Sequence, residues 1–197
     1  MKDVSNGYEA IADKFILHRA KSNIGITTVQ AWAKTLQKQG SILDLGCGNG
    51  IPISQIFVEL GFDVYGIDAS ASMVSAFCKN FPQAHVRCEG AENSFFFDRK
   101  FDGVIAWGLM FLLPAETQIL LIQKVAKALV PGGKFLFTSP YQACEWKDML
   151  SGLTSYSLGS DGYKSTLSIA GMGLLAEYSD EGENYYYDAI KLQPEAV

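Results

Sequence analysis

The segment Asp44-Leu45-Gly46-Cys47-Gly48-Asn49-Gly50 is where this sequence concentrates residues fit for chemistry. Three glycines in alternate positions let a backbone turn sharply while a ligand lies against it without Cβ interference. Asp44 sets a carboxylate beside that turn. Asp68, 24 residues further on, is spaced to accept hydrogen bonds from a ribose diol. A dinucleotide would need G-x-G-x-x-G, with its pyrophosphate over a helix N-terminus. Here position 51 is Ile, so the third glycine falls one residue early, and Asp44 beside the loop would repel a pyrophosphate. An NAD-dependent oxidoreductase is therefore the second reading, and a nucleotide- or cofactor-binding protein without catalysis the third. Taken alone, Asp68 serves equally well as a helix cap. Cys47 reads as a small packed side chain, and His85 as structural or exposed. His18 and Arg19 are adjacent in a segment of helical periodicity. His18 is a candidate base and Arg19 a candidate partner for a ligand carboxylate, against the simpler reading of solvated polar residues.

The elements that must position these residues alternate helix and strand. Tyr8, Ile11, Ala12, Phe15 and Ile16 follow helical spacing, with Asn6 and Glu9 placed as a capping box. A second helix begins near Thr27, with Thr27 and Gln30 in the same relation, buries Val29, Trp32, Ala33 and Leu36, and stops at Gly40. Ser41 to Leu45 is a strand that delivers the glycine loop. The next helix carries Pro52 in its first turn and an apolar face of Ile53, Ile56, Phe57 and Leu60. Phe62 to Ile67 is a strand ending at Asp68, with Ser70 and Ser72 as candidate caps of a helix to about Asn80. Strands follow at Ala84 to Cys88 and Phe101 to Trp107. A helix from Pro114 turns Leu121, Val125, Ala128 and Leu129 inward and closes at Pro131-Gly132-Gly133. Lys134 to Ser139 is a fifth strand, Asp161 to Met172 a helix, and Leu174 to Tyr178 with Tyr185 to Leu192 a closing hairpin. The pattern predicts an α/β fold: a Rossmann-like, mostly parallel seven-stranded sheet with helices on both faces and an antiparallel C-terminal hairpin. Its ligand crevice lies at the carboxyl ends of the strands, where the strand order reverses. In the run Tyr185-Tyr186-Tyr187, alternate rings face opposite sides of the sheet.

Leu43 to Gly50 (LDLGCGNG) resembles the first motif of the class I S-adenosylmethionine-dependent methyltransferases, small-molecule type. Tyr65-Gly66-Ile67-Asp68-Ala69-Ser70 with Met73 resembles the second. Phe101 to Trp107 fits the fourth-strand motif, and Leu129-Val130-Pro131-Gly132-Gly133-Lys134-Phe135 the turn before the fifth strand. The resemblance spans Gly40 to Leu192. It implies that Gly46, Cys47, Gly48 and Asn49 lie under the methionine part of S-adenosylmethionine, with Asp44 near its ammonium. Asp68 would hold the ribose hydroxyls, and Ala69 and Met73 would flank the adenine. The third-strand motif, aligned on Ala91-Glu92, puts Gly90 where an aspartate is expected, so the adenine amino group falls to Glu89, to Glu92 or to backbone. Trp107 would stand near the methionine moiety. Tyr8 is similar to the N-terminal tyrosine that many such enzymes lay over the cofactor, which makes it, with His18, a candidate catalytic residue.

The implied activity is methyl transfer to an O, N, S or C nucleophile of a small molecule, with S-adenosyl-L-homocysteine as product. Alignment of reactants alone supplies about 7–11 kcal/mol of barrier reduction, so a dedicated base is optional. Composition agrees. The 197 residues hold 16 basic against 21 acidic side chains, a net charge of -5, and no Lys/Arg run of the kind that binds nucleic acid or an anionic membrane. Hydrophobic residues make up 48%, enough for one sizeable core. The longest strictly apolar run, Leu109 to Leu113, is far short of a membrane span. Two histidines and four cysteines without a CxxC pair leave a metal site almost no ligands, and the cysteines read as reduced, mostly buried thiols of a cytoplasmic protein. Residues 1–40 are expected to form an N-terminal helical lid over a cofactor-binding domain at 41–197, in a monomer or homodimer. Members of the superfamily that methylate base amino groups carry a proline pair with an aromatic after the fourth strand, where this chain has Ala106-Trp107-Gly108-Leu109.

Overall fold

Ile42 and Leu43 turn to opposite faces of one strand, β1 (Ser41–Leu45), and both are fully buried, so this strand must be covered on both sides. A computed structural model of the protein, describing residues 4–193, provides that cover. The first three residues of the expected lid and the last four of the chain lie outside the described residues. The order of elements is α1 (Tyr8–Arg19), α2 (Ile26–Ala33), β1, α3 (Ile53–Glu59), β2 (Asp63–Asp68), α4 (Ala71–Asn80) and β3 (His85–Cys88). There follow β4 (Phe101–Ala106), α5 (Ala115–Ala128), β5 (Leu129–Thr138), β6 (Ala143–Lys147), β7 (Thr154–Leu158), α6 (Gly159–Ile169), β8 (Met172–Ser179) and β9 (Tyr185–Lys191).

Seven strands form one sheet in the order β3-β2-β1-β4-β5-β9-β8. The first five pair in parallel, while β9 runs antiparallel to both β5 and β8. Strand order reverses between β1 and β4, which opens the crevice at the carboxyl end of β1. The period-2 alternation of the strands divides the interior into two cores. Leu43, Val104, Phe135, Phe137 and Tyr187 pack on one face with α5 and α6. Ile42, Ile105, Leu136 and Tyr186 pack on the other with α2, α3 and Phe77 of α4.

Several local expectations are corrected. Neither capping box forms: α1 and α2 start behind the left-handed glycines Gly7 and Gly25, without a side-chain cap. Ser5 Oγ receives the Glu9 N–H, and the Glu9 carboxylate is drawn across to α4. Leu60 is the C-cap of α3 and exposed, because α3 ends a residue before it would turn inward. Leu129 to Gly133 belong to β5 rather than to the end of α5, and α6 begins at Gly159. Residues 143–158 form an unexpected two-stranded sheet, β6–β7, outside the main one. Only Cys47 is buried; Cys78 on α4, Cys88 on the edge strand β3 and Cys144 on β6 are exposed, because each lies on an element with one uncovered side. No helix among the described residues is long and apolar enough to cross a membrane.

Candidate functional site

The glycine loop leaves β1 and is stitched at once to β2: the Gly46 and Cys47 N–H groups both donate to the Ile67 carbonyl, at 2.8 and 3.1 Å. Gly46 and Gly48 take φ of +70° and +55°, the left-handed region that side chains disfavour. At Gly46 a Cβ would also press within 3.1 Å of Leu109. The loop therefore forms one wall of a cleft of about 370 Å³ at the switch point. Every residue proposed above for cofactor contact lines it: Asp44, Gly46, Cys47, Gly48, Asn49, Asp68, Ala69, Met73, Ala91, Glu92 and Trp107. So do Tyr8, His18 and Arg19.

The two aspartates differ in setting. Asp68 Oδ2 accepts the Gly48 N–H and Oδ1 the Ser70 N–H, each at 2.8 Å. Each oxygen keeps a second lone pair, and burial raises the carboxyl pKa against those two bonds. Asp44 is 2% exposed, and its Oδ2 accepts from Ser54 Oγ at 2.5 Å. Burial pushes it to about 7. The Cys47 thiol is held well above its ordinary pKa, by burial first and then by Asp44 and Asp68. It stays protonated, which removes it as a nucleophile.

Arg19 is 6% exposed, although α1 lies at the surface. Its guanidinium donates to Ser22 Oγ and the Ile24 carbonyl, both at 3.1 Å, and stacks 4.0 Å above the Trp107 ring. The ion pairs recorded among the described residues, Arg99–Asp63 and Lys164–Glu177, do not include it. The Asp180 charge reaches it only across a distance, so a buried cation lining a cleft with no direct carboxylate contact among the described residues leaves room for an anion there. Trp107 is itself fixed. Its Nε1–H donates to Tyr186 Oη at 2.7 Å, and Tyr186 Oη donates to Asp180 Oδ2 at 2.7 Å. Beside that aspartate, Glu181 Oε1 accepts the Gly25 N–H at 3.1 Å. The turn between β8 and β9 thus holds both the end of β4 and the connection between α1 and α2.

Also lining the cleft, Glu89 Oε1 is buried without a hydrogen-bond partner among the described residues. Glu92 Oε1 accepts from Asn93 Nδ2 at 3.2 Å, and the Ala91 and Glu92 carbonyls accept from Lys124 Nζ. Of the side-chain alternatives for an adenine amino group, Glu89 is the one with a buried acceptor left unsatisfied among the described residues. Met73 is 2% exposed, and its N–H caps onto Ser70 Oγ at 3.1 Å. Tyr8 packs edge-on against Phe15 at 5.4 Å. Burial, then the charge of Asp148, pushes its phenol up to about 12, so it remains a neutral hydroxyl rather than a base. Ser54, Glu9, Asp148, Asp180 and Tyr186 escape sequence reasoning. Of these, only Ser54 leaves a local signal, a polar residue on the buried face that holds Ile53, Ile56 and Phe57. No group of three or more His, Cys, Asp or Glu able to hold a metal ion occurs among the described residues.

Residues 42–133 match the family model described as a methyltransferase domain. A tRNA U34 carboxymethyltransferase of Nautilia profundicola is 27% identical over 99 residues, 48% of this chain and 32% of that protein, so the match takes in about a third of the relative's length. Two solved structures share the fold over most of their length. The CcbJ methyltransferase from Streptomyces caelestis matches at TM-score 0.74 and 14% identity, over 97% of this chain and 98% of that one. The glycopeptide N-methyltransferase MtfA, complexed with S-adenosyl-L-homocysteine, matches at TM-score 0.68 and 19% identity, over 85% and 90%.

Proposed function

From the premise that this chain, through residues 42–133, belongs to the class I S-adenosylmethionine-dependent methyltransferases, we propose that it methylates a small molecule in the cleft at the end of β1. Bound S-adenosylmethionine supplies a methyl group made electrophilic by its sulfonium and is released as S-adenosylhomocysteine. The observation that carries the reading is the placing of Arg19, a buried cation in no direct ion pair among the described residues, and Asp44, a buried acid, along one cleft. Together they match the zwitterionic amino-acid end of that cofactor, carboxylate to Arg19 and ammonium to Asp44. Asp68 keeps lone pairs for the ribose hydroxyls, and the unpartnered Glu89 Oε1 accepts from the adenine amino group. Ala69 and Met73 supply the apolar sides of the adenine slot.

In this reading α1 and α2 are the lid over the domain, and their task is to exclude water and orient the acceptor. Tyr8 donates a hydrogen bond from its neutral hydroxyl. His18, exposed at the rim, is the residue able to take a proton when the acceptor arrives protonated. The acceptor is read as small rather than RNA. The chain carries a net charge of -5, and Asp44, Asp68, Glu89, Glu92 and Asp148 line the cleft against Arg19 and His18, a balance that repels a phosphate backbone.

Calorimetric titration with S-adenosylmethionine, S-adenosylhomocysteine and NADH tests the cofactor. Micromolar binding of both sulfur compounds is expected, and binding of NADH alone would overturn the reading. A mass-spectrometric search of host metabolites and tRNA for a gained methyl group tests the acceptor. Methylated tRNA with no methylated metabolite would replace the small-molecule reading by the RNA one.

A further inference from the structure

Among the carboxylates lining the cleft, Asp44, Asp68 and Glu89 are assigned to the cofactor in the reading above, and Glu92 turns to Asn93. Asp148 has no such assignment. It sits at the tip of the β6–β7 hairpin, the segment added outside the main sheet. Its Oδ1 gathers the tip, accepting from the Leu150 N–H at 3.1 Å, the Ser151 N–H at 2.6 Å and Ser151 Oγ at 2.8 Å. Oδ2 accepts none of the hydrogen bonds recorded among the described residues. The turn therefore holds the carboxylate in place through one oxygen, and Asp148, half-exposed, lines the cleft together with Tyr8. Phe15 of α1, Phe111 and Leu112 after β4, and Leu150 of the tip itself give the cleft apolar surface, beside the polar Ser5 and Asn6. Phe111 is backed by Trp146 of β6, with ring centroids 5.7 Å apart.

A negative group held rigidly beside an apolar, ring-lined surface selects a ligand with the opposite charge and an apolar body. We propose that the methyl acceptor is an amphiphilic cation, its ring-bearing body on Phe15, Phe111 and Leu150 and its ammonium group paired with Asp148 Oδ2. The ammonium is the anchor, not the nucleophile, because a protonated amine has no lone pair to offer; a separate neutral atom of the acceptor takes the methyl. This assignment rests on the methyltransferase reading of the same cleft.

The test uses the full chain saturated with S-adenosylhomocysteine, whose own binding is measured first. Three probes with one body and different tails are then titrated: tyramine, the neutral 4-hydroxyphenethyl alcohol and 4-hydroxyphenylacetate. Tyramine should bind about tenfold tighter than the neutral probe, and the acetate weakest, as one charge-assisted hydrogen bond implies. Asp148→Asn keeps an oxygen for the Ser151 turn and should abolish the preference. Ser151→Ala loosens that turn without changing the charge and should retain it. Equal binding of the three, binding of none, or an unchanged preference in Asp148→Asn overturns the assignment and leaves the cofactor reading standing. Failure of S-adenosylhomocysteine to bind overturns the reading beneath it as well.

Discussion

Asp44 and Asp68 lie toward the carboxyl ends of neighbouring strands, two positions apart in register, and they answer to different conditions. Asp44 is buried against Ser54 and titrates at about 7, so in the free protein it is partly protonated near neutrality. Only the ionised form pairs with an ammonium. If Asp44 holds the ammonium as proposed, a proton and the cofactor compete for the same carboxylate, and affinity for S-adenosylhomocysteine should fall by up to about tenfold per pH unit below 7 and level off above it. Calorimetry between pH 5.5 and 8.5 checks this, and Asp44→Asn should bind weakly with a flat profile across that range. Asp68→Ala loses an ionised acceptor for the ribose hydroxyls, worth about 1.5–3 kcal/mol, and should weaken binding roughly tenfold to a hundredfold. An unchanged dissociation constant would remove Asp68 from the ribose. Both aspartates were legible in the sequence because each stands toward the carboxyl end of a recognisable strand, Asp44 beside the glycine loop and Asp68 one strand later. Glu89 was not singled out from Glu92. What separates them is the burial of an unsatisfied oxygen, a property of packing that no spacing encodes.

At the scale of elements, strand and helix order was readable throughout the sheet, while the joints between elements were not. Asn6 and Glu9 have the spacing of a capping box, but Gly7 meets the left-handed start of α1 by itself and frees Glu9 for another task. The Glu9 carboxylate accepts from the Ser70 and Ser72 hydroxyls and the Ser72 N–H at the start of α4, beside Asp68 and Ala69. These bonds, Ser70 first, lower its pKa, so the contact holds at neutral pH and is lost only as acid is added through that lowered value. Since α1 carries Tyr8, His18 and Arg19 into the cleft, its tie to α4 should govern how fast a bound cofactor escapes. In Glu9→Ala the stopped-flow dissociation rate of S-adenosylhomocysteine should rise severalfold while the fold melts nearly unchanged. An unaltered rate would mean that α1 does not close the site. The β6–β7 hairpin escaped prediction for a related reason. β6 is exposed except at Trp146, and the residues that β7 buries in alternation are serines, Ser155 and Ser157, so no apolar period of two betrays them.

The sheet's final reversal ties parts of the chain that sequence spacing cannot relate. By running antiparallel to β5, β9 passes the end of β4 and reaches the N-terminal helices. Two contacts of the same type result, and they have opposite uses. Trp32 Nε1 of α2 donates to Asp188 Oδ1 at 3.0 Å, deep in the core and outside the cleft. Trp107 Nε1 donates to Tyr186 Oη, which is held by Asp180, under the Arg19 guanidinium at the cleft wall. Removing the first donor with Trp32→Phe strands a buried acceptor and should cost about 1–3 kcal/mol in urea unfolding, with cofactor affinity intact. Removing the second hub with Tyr186→Phe keeps the ring, its stack on Tyr178 and its place in the core. It frees the indole to turn, and Arg19 loses the surface that holds its charge toward the ligand. The expected signature is a KM for S-adenosylmethionine raised about tenfold with kcat changed far less, because binding common to ground and transition state is what is lost. If Tyr186→Phe instead lowers unfolding stability as Trp32→Phe does and leaves KM alone, the β8–β9 turn is a clasp for the fold and has no part in holding the cofactor.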